Sequence, residues 1–389
     1  MQSNMKEIKS ESELTFLEAT SIIIGHGVGS GVLAVPYLAS RNSWSDFLLI
    51  IIIVYIVNLL LHLMIAELSL NNSGAQFITI FDQELFKCRF GVIFSTLAFV
   101  IMGFSVLVNV AGFISGGGAV FSSWFGLPVK VAQLTYYILA TLVVYLGMKA
   151  VGIAEKISVS SMVGVIGIIF VAVMLGERNP LPSHFVAFSN VIALYSMVAF
   201  SLSAVMSVPQ VVKGVNGDVK KIRCAIALGT GINLLLIIAI AFMTLVGMGQ
   251  SISQNGALVD LSGKLGGWIG IIGYVFSLLA LSTSFWANTL NLRDIIAEKT
   301  GLSNKISWFS SSFPCLVIAL LGLEEFVGFT RLAGVVQVLT GIGVICAYNI
   351  SRRRVKESKI CGKFGSLPFQ IIVIAGSVFS TLGSLIKVV

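Results

Sequence analysis

The sequence predicts an all-α membrane protein whose helices cross the bilayer many times. Hydrophobic residues make up 56% of the 389 residues and charged residues only 11%, whereas an ordinary soluble protein carries about 25% charged residues. Apolar runs long enough to cross a hydrocarbon core about 30 Å thick recur along the whole chain. This composition excludes an ordinary soluble domain.

We predict eleven membrane spans and number them span 1 to span 11 in chain order. The predicted boundaries are roughly 14–39, 45–70, 91–118, 131–148, 156–175, 186–210, 222–248, 266–291, 306–322, 326–350 and 368–387. Residues 1–13 form a polar N-terminal tail, and residues 351–367 form a basic loop before the last span. No residue of permanent charge lies at the centre of any of these predicted spans.

The Lys and Arg residues divide unevenly between the two sides of the predicted membrane. With a cytoplasmic N-terminus, 19 of the 25 lie on the cytoplasmic side and 6 on the other side. This bias predicts a cytoplasmic N-terminus and, with eleven spans, an extracellular C-terminus. The basic stretch "SRRRVKESK" (351–359) is then a juxtamembrane charge cluster, and we expect no nucleic-acid partner.

Span 1 contains the stretch "GHGVGSGVLAVP" (25–36), in which four of the first seven residues are glycine and a proline comes last. Glycine and proline both weaken a helix. A helix that unwinds within the membrane exposes N–H and C=O groups, and these can bind an anion and a cation if they line a protected cavity. The alternative is close helix packing, because small residues four apart let helices touch.

Span 6 contains a weaker version of the same signal. Its stretch "AFSLSAVMSVPQVV" (199–212) repeats the "VP" of span 1, and three serines precede it. Serine has a low helix preference and can hydrogen-bond freed backbone groups. Because broken helices come in pairs where a fold contains an inverted repeat, spans 1 and 6 are both expected to be broken.

Four stretches, in order along the chain, resemble the amino acid–polyamine–organocation superfamily. They are "GVGSGVLAVP" (27–36), "AELSLNNSGAQF" (66–77), "VPQVVKGVNGDVKKIRCAIALG" (208–229) and "LLALSTSFWANTLNLRDIIAEKTGL" (278–302). The last resembles above all the amino acid/auxin permease and hydroxy/aromatic amino acid permease branches. The resemblance implies a LeuT-type fold of two inverted five-helix repeats, here 14–175 and 176–350, followed by an eleventh helix at 368–389.

The resemblance also implies a cation site between spans 1 and 8. Sodium-coupled members of this fold use two carbonyls at the first break, one carbonyl on the eighth helix and a nearby hydroxyl pair. Here the matching carbonyls belong to Gly25, Val28 and Ala280, and the hydroxyls to Thr283 and Ser284. Five uncharged oxygens suit a monovalent ion better than Mg²⁺, so Na⁺ is the expected coupling ion and no other cofactor is expected.

For the substrate, the resemblance implies an amino acid. Its carboxylate is expected at the backbone N–H groups of Gly29, Ser30 and Gly31, and its ammonium at carbonyls near Ser201 and Ser203. Its side chain is expected among spans 3, 6 and 8; the candidate contacts there are Asn109, Phe200 and Phe285. Because no acidic or basic residue is placed to bind a charged side chain, a neutral amino acid is favoured.

Other assignments of function remain open at this stage. His26, the titratable group within the first break, could carry a proton or contact the substrate instead, which would give a proton-coupled symporter or exchanger. A transporter-like amino acid sensor would keep the same binding residues. The sequence lacks HExxH, GxSxG and phosphate-loop motifs, which argues against an enzyme.

The orientation can be tested with a reporter fused after Val389. A reporter that is active only outside the cytoplasm should be active in this fusion, because an odd number of spans carries the C-terminus across the membrane. A reporter that works only in the cytoplasm should be silent. Activity of the cytoplasmic reporter would contradict the predicted orientation.

Overall fold

A helix overlaps each of the eleven predicted spans, and for span 10 it begins at Gln337, later than the predicted residue 326. In the computed structural model, the described residues are 13–183, 187–249, 251–253, 257–323, 328–329, 333–334 and 336–386, and for residues 30–33 the description is limited to the backbone. The helices of spans 1 to 11 are Phe16–Ser40, Trp44–Asn71, Gly91–Phe125, Val129–Tyr145, Met148–Leu175, Phe188–Ser201 with Val208–Gly214, Val219–Met248, Gly267–Thr300, Asn304–Leu321, Gln337–Arg354 and Leu367–Leu385.

Shorter helices lie between the spans. Phe77–Glu84 follows span 2, Ala257–Leu265 precedes span 8, and 3₁₀ turns occupy Val205–Ser207 and Gly362–Gly365. Each connects two spans, except the turn at Val205–Ser207, which lies inside span 6.

Not every span helix is long and apolar enough to cross a membrane by itself. Within the described residues seven meet that test, or eight when the two halves of span 1 are counted together. Span 4 is apolar but has only 17 residues. Span 9 starts with polar residues, and span 10 ends in three arginines at 352–354. The crossing of the membrane by these three helices therefore rests on the sequence pattern.

Span 5 starts eight residues earlier than the sequence predicted, at Met148 instead of residue 156. Gly147, with φ of 97°, makes the turn that separates it from span 4. Charged residues at the start of this helix had suggested a loop, but Lys149 pairs with Glu18 of span 1 at 2.6 Å. The longer helix places Glu155, which the prediction left between spans, inside span 5.

Span 6 is broken, as predicted. Its first half ends at Ser201, a 3₁₀ turn follows at Val205–Ser207, and the second half begins at Val208. Pro209 sits in the first turn of that second half, where its missing N–H costs nothing.

Side chains from neighbouring spans satisfy the backbone groups that this break frees. His62 Nε2 of span 2 accepts the Ala204 N–H at 3.0 Å. Asn233 of span 7 donates to the Ser201 carbonyl at 2.9 Å, and Asn58 of span 2 donates to the Ala199 carbonyl at 3.4 Å. A membrane interior offers no water for these groups, so the break depends on such partners.

Span 1 is bent and keeps its helical hydrogen-bonding pattern through the bend. Its two halves, Phe16–Gly29 and Ala34–Ser40, meet at an angle of 53°. Pro36 lies in the second half, and a proline removes the hydrogen bond to the carbonyl four residues earlier, which is the usual cause of a sharp kink. The predicted break is therefore a bend in this structure.

The bent span 1 lies in the middle of the helix bundle. It packs against spans 5, 6, 7 and 8. Glycines make this packing close: a Cβ atom at Gly229 of span 7 would lie 2.7 Å from the Cβ of Ile23. Span 1 is therefore held on several sides at the level where it bends.

Ion pairs connect the helix ends on the predicted cytoplasmic side. Glu18 contacts Lys149 at 2.6 Å and Lys156 at 3.7 Å, and the fully buried Glu67 contacts Arg352 at 3.4 Å. Further pairs join Asp82 to Lys299, Glu84 to Arg354, and Lys213 to Glu298. Many of the basic residues that indicated the orientation thus also tie this end of the bundle together.

Candidate functional site

A cavity of about 110 Å³ lies beside the break of span 6, and His26 of span 1 reaches it. Residues from spans 1, 2, 3, 6, 8, 10 and 11 line it. Its apolar wall includes Val57, Leu61, Met102, Val106, Phe113 and Met206, and its polar groups include Asn58, Ser105, Asn288, Gln337 and Thr340. None of the described residues lining the cavity carries a permanent charge. Such a cavity suits a ligand with an uncharged, largely apolar body.

Four of the predicted substrate residues line this cavity. They are His26 of span 1, Asn109 of span 3, and Phe200 and Ser203 of span 6. His26 Nδ1 lies 2.7 Å from the Ser207 hydroxyl, which also accepts a hydrogen bond from Asn291 at 3.2 Å. The imidazole is therefore held at the junction of spans 1, 6 and 8.

Two amide side chains fix each other beside the cavity. Asn109 Nδ2 donates to Asn288 Oδ1 at 3.2 Å, and Asn288 Nδ2 donates to the Ser284 carbonyl at 2.8 Å. Asn288 had not been singled out from the sequence. A polar residue four positions after Ser284 on the same helical face was the available signal.

The remaining predicted substrate residues lie differently. Phe285 is fully buried and packs edge-on against Tyr136, with ring centroids 6.1 Å apart, and it is not among the residues that line the cavity. Ser201 is also buried, with its hydroxyl bonded to the Met197 carbonyl. The Gly29 N–H donates to the Ser284 hydroxyl at 3.2 Å. The side chains of the stretch that includes Ser30 and Gly31 lie outside the described residues.

Next to the cavity, the residues of the predicted cation site meet between spans 1 and 8. The Ser284 hydroxyl lies 2.9 Å from both the Gly25 and the His26 carbonyl oxygens. The Thr283 hydroxyl donates to the Ala280 carbonyl at 2.9 Å. Val28 is fully buried and belongs to the same apolar cluster as Ala280. Oxygens expected as ligands are thus close together, and in this state the hydroxyls donate to the carbonyls.

Glycine is needed on span 1 because each position meets a different neighbour at close range. A Cβ at Gly25 would lie 1.8 Å from Glu155 Oε2, one at Gly27 would lie 2.2 Å from the Ser201 carbonyl oxygen, and one at Gly29 would lie 2.4 Å from the Ala280 carbonyl oxygen. All three distances are far below van der Waals contact. These contacts support the close-packing interpretation of the glycines.

Glu155, like Asn288, is a site residue that was not predicted from the sequence. Its side chain is fully buried, and neither carboxylate oxygen has a hydrogen-bond partner among the described residues. The prediction started span 5 at residue 156 and so left Glu155 in a loop. The turn-forming Gly147 is the signal that would have started the helix early enough to include it.

The arrangement of the helices is that of the LeuT-type fold. The solved structure of MhsT in complex with L-phenylalanine shares this fold, with a TM-score of 0.65 and 14% identity; the match covers 96% of this chain and 99% of that one. The structure of Mhp1, a nucleobase-cation-symport-1 family transporter with bromovinylhydantoin bound, shares it as well, with a TM-score of 0.61 and 13% identity. That match covers 96% of this chain and 92% of the other.

The model of the tryptophan/tyrosine permease family matches residues 12–383, and the chain belongs to that family. The predicted superfamily resemblance and LeuT-type fold are thereby confirmed, as is the prediction that the protein is not an enzyme. A comparison with the curated proteins finds no significant match.

The role of the span 1 glycines in packing can be tested by Gly27→Ala. The added methyl would overlap the Ser201 carbonyl and the Asn233 amide at 2.6 Å, so spans 1 and 6 must separate. Overpacking of this kind costs about 1–3 kcal/mol, and we expect a lower melting temperature in detergent.

Gly164→Ala is the matched control for that variant. It adds the same methyl to span 5, where nothing lies within 4 Å, and its melting temperature should equal or slightly exceed that of the wild type because alanine favours the helix. Equal melting temperatures for the Gly27 and Gly164 variants would show that span 1 tolerates a side chain at position 27.

Proposed function

We propose that the protein imports an aromatic amino acid, with tryptophan and tyrosine as the first candidates, by sodium symport with alternating access. The main support is that one short segment of span 1, Gly25 to Gly29, takes part in both sites. Its His26 lines the cavity, and its Gly25 carbonyl and Gly29 N–H contact the Ser284 hydroxyl of span 8. A ligand in the cavity and an ion in the cluster would therefore act on the same bend.

The composition of the cavity supports an aromatic substrate. Apolar side chains from spans 2, 3 and 6 provide surface for a ring, while Asn109, Asn288 and Thr340 offer hydrogen bonds to a polar ring substituent. The name of the family and the L-phenylalanine bound to MhsT agree with that chemistry. The amino acid backbone would bind at the bend of span 1 and the break of span 6.

The charge distribution of the chain supports the proposed orientation in the membrane. We propose a cell-membrane protein with a cytoplasmic N-terminus and an extracellular C-terminus, since the basic residues gather at one end of the bundle. In the described state, ion pairs such as Glu18 with Lys149 close that end. Opening it to release substrate inside the cell requires these pairs to separate.

A second candidate is proton coupling through His26. The imidazole of span 1 lines the cavity and contacts the Ser207 hydroxyl at the break of span 6, so its protonation would act on both spans. A proton-coupled symporter or exchanger would then need no sodium. An amino acid sensor with the same site would bind the substrate without accumulating it.

Purified protein in proteoliposomes separates these candidates. An inward sodium gradient without a pH gradient should drive uptake of labelled L-tryptophan or L-tyrosine. Ser284→Ala should raise the sodium concentration for half-maximal uptake, because it removes a hydroxyl that bridges spans 1 and 8. Ser277→Ala is the control, since that buried hydroxyl on the same helix bonds only to its own helix at Gly273.

Sodium-independent uptake driven by an acidic exterior, unaffected by Ser284→Ala, would contradict the sodium assignment and leave the substrate assignment standing. If His26→Gln then abolished the pH-driven uptake but kept substrate exchange, the second candidate would replace the first. Binding without any uptake would indicate a sensor.

A further inference from the structure

Among the described residues, Glu155 is a buried acid without a partner, whereas the other buried acids there are paired with basic residues. Glu18 and Glu67 are almost as buried and both contact basic residues. Glu155 is 0% exposed, and its two carboxylate oxygens have no hydrogen-bond partner among the described residues. Lys149 and Lys156, on the same helix as Glu155, both form ion pairs with Glu18.

An ionised carboxylate in such a place needs a positive charge beside it. Burial removes the water that stabilises the charge, and the loss is offset only by a partner of opposite sign or by hydrogen bonds. Among the described residues the chain provides neither. A cation from outside the chain would provide the missing partner.

The carboxylate faces the oxygen cluster between spans 1 and 8. A Cβ at Gly25 would lie 1.8 Å from Glu155 Oε2 and 2.9 Å from Thr283 Cβ, so the two side chains meet at the same point of span 1. The carbonyl of that same glycine accepts the Ser284 hydroxyl at 2.9 Å. Spans 1, 5 and 8 therefore bring a carboxylate, a hydroxyl pair and backbone carbonyls together.

We propose that the Glu155 carboxylate is the anionic ligand of the coupling sodium ion, completing a site with the carbonyl of Gly25 and the hydroxyls of Thr283 and Ser284. One carboxylate among neutral oxygens balances the charge of a monovalent cation. Ca²⁺ takes six to eight oxygens and is usually bound by several carboxylates, and the described residues supply one here. This inference rests on the proposed sodium-coupled function and adds a ligand from span 5 to it.

Leu14, at the predicted cytoplasmic end of span 1, lies between spans 5 and 6. The Leu14 side chain packs closely against two glycines. A Cβ added at Gly152 of span 5 would lie 2.7 Å from it, and a Cβ added at Gly214 of span 6 would lie 2.4 Å from it. Its N–H donates to the Gly214 carbonyl at 2.8 Å. Gly152 precedes Glu155 by about one helical turn.

The test measures sodium binding by the purified protein without substrate. Wild-type protein should bind radioactive sodium, and its melting temperature should rise with NaCl but not with choline chloride at equal ionic strength. Glu155→Gln, which keeps the shape and removes the charge, should raise the sodium concentration needed for half of this effect by about 10- to 100-fold. Glu155→Asp should bind sodium more tightly than the Gln variant because it retains the charge.

Glu177→Gln is the matched control, since it removes the same charge from an exposed position just beyond the other end of span 5, and it should bind sodium like the wild type. Unchanged sodium binding in Glu155→Gln would overturn this inference while leaving the sodium-coupled function intact. Absence of sodium binding in the wild type would overturn both. If Glu155→Gln fails to fold, Glu155→Asp and the shorter, neutral Glu155→Ser replace it. Sodium binding at wild-type affinity by the Asp variant but not by the Ser variant still supports the carboxylate as a ligand. Equal sodium binding by the two variants overturns it.

Discussion

The hydroxyl of Ser284 makes the contact on which the rest of the site depends. It accepts the Gly29 N–H and lies 2.9 Å from the carbonyl oxygens of Gly25 and His26, so a single side chain of span 8 holds a whole turn of span 1. A hydroxyl has one hydrogen to share between those two carbonyls. The arrangement leaves the carbonyls under-satisfied, and a bound cation would improve on it.

The bend of span 1 and the break of span 6 depend on neighbours in the same way. In the membrane interior every freed backbone group needs a partner from the protein, and His62, Asn233 and Asn58 supply three of them at span 6. Gly27 of span 1 lets Asn233 and the Ser201 carbonyl come close. A substrate that enters the cavity would compete for, or add to, the same hydrogen bonds, which gives a physical basis for coupling substrate binding to movement of the two spans.

Much of the architecture could be predicted because hydropathy and charge report directly on the membrane. The span pattern and the broken span 6 follow from runs of residues, whereas the meeting of spans 1 and 8 was implied by the family resemblance. The direction of individual side chains could not be predicted in this way. Phe285 packs against Tyr136, although the neighbouring Ser284 faces span 1. Rotation of a helix about its own axis is set by packing on all sides, which short motifs do not encode.

Glu155 could not be placed from hydropathy for a different reason. The start of span 5 is rich in charge, and a sequence window cannot tell a loop from a helix whose lysines pair with another span. Lys149 finds its partner, Glu18, more than a hundred residues away in the chain. Once that pair allows the helix to begin at Met148, Glu155 lies about two turns into the helix and is buried.

The most direct test of the whole account is the dissociation constant of L-tryptophan or L-tyrosine for the purified protein, measured with and without sodium. If the bend of span 1 joins the cavity to the cation site, saturating sodium should lower that constant by about 5- to 150-fold, the usual range for two coupled sites. An identical dissociation constant in sodium and in choline would contradict the coupling of the two sites through span 1.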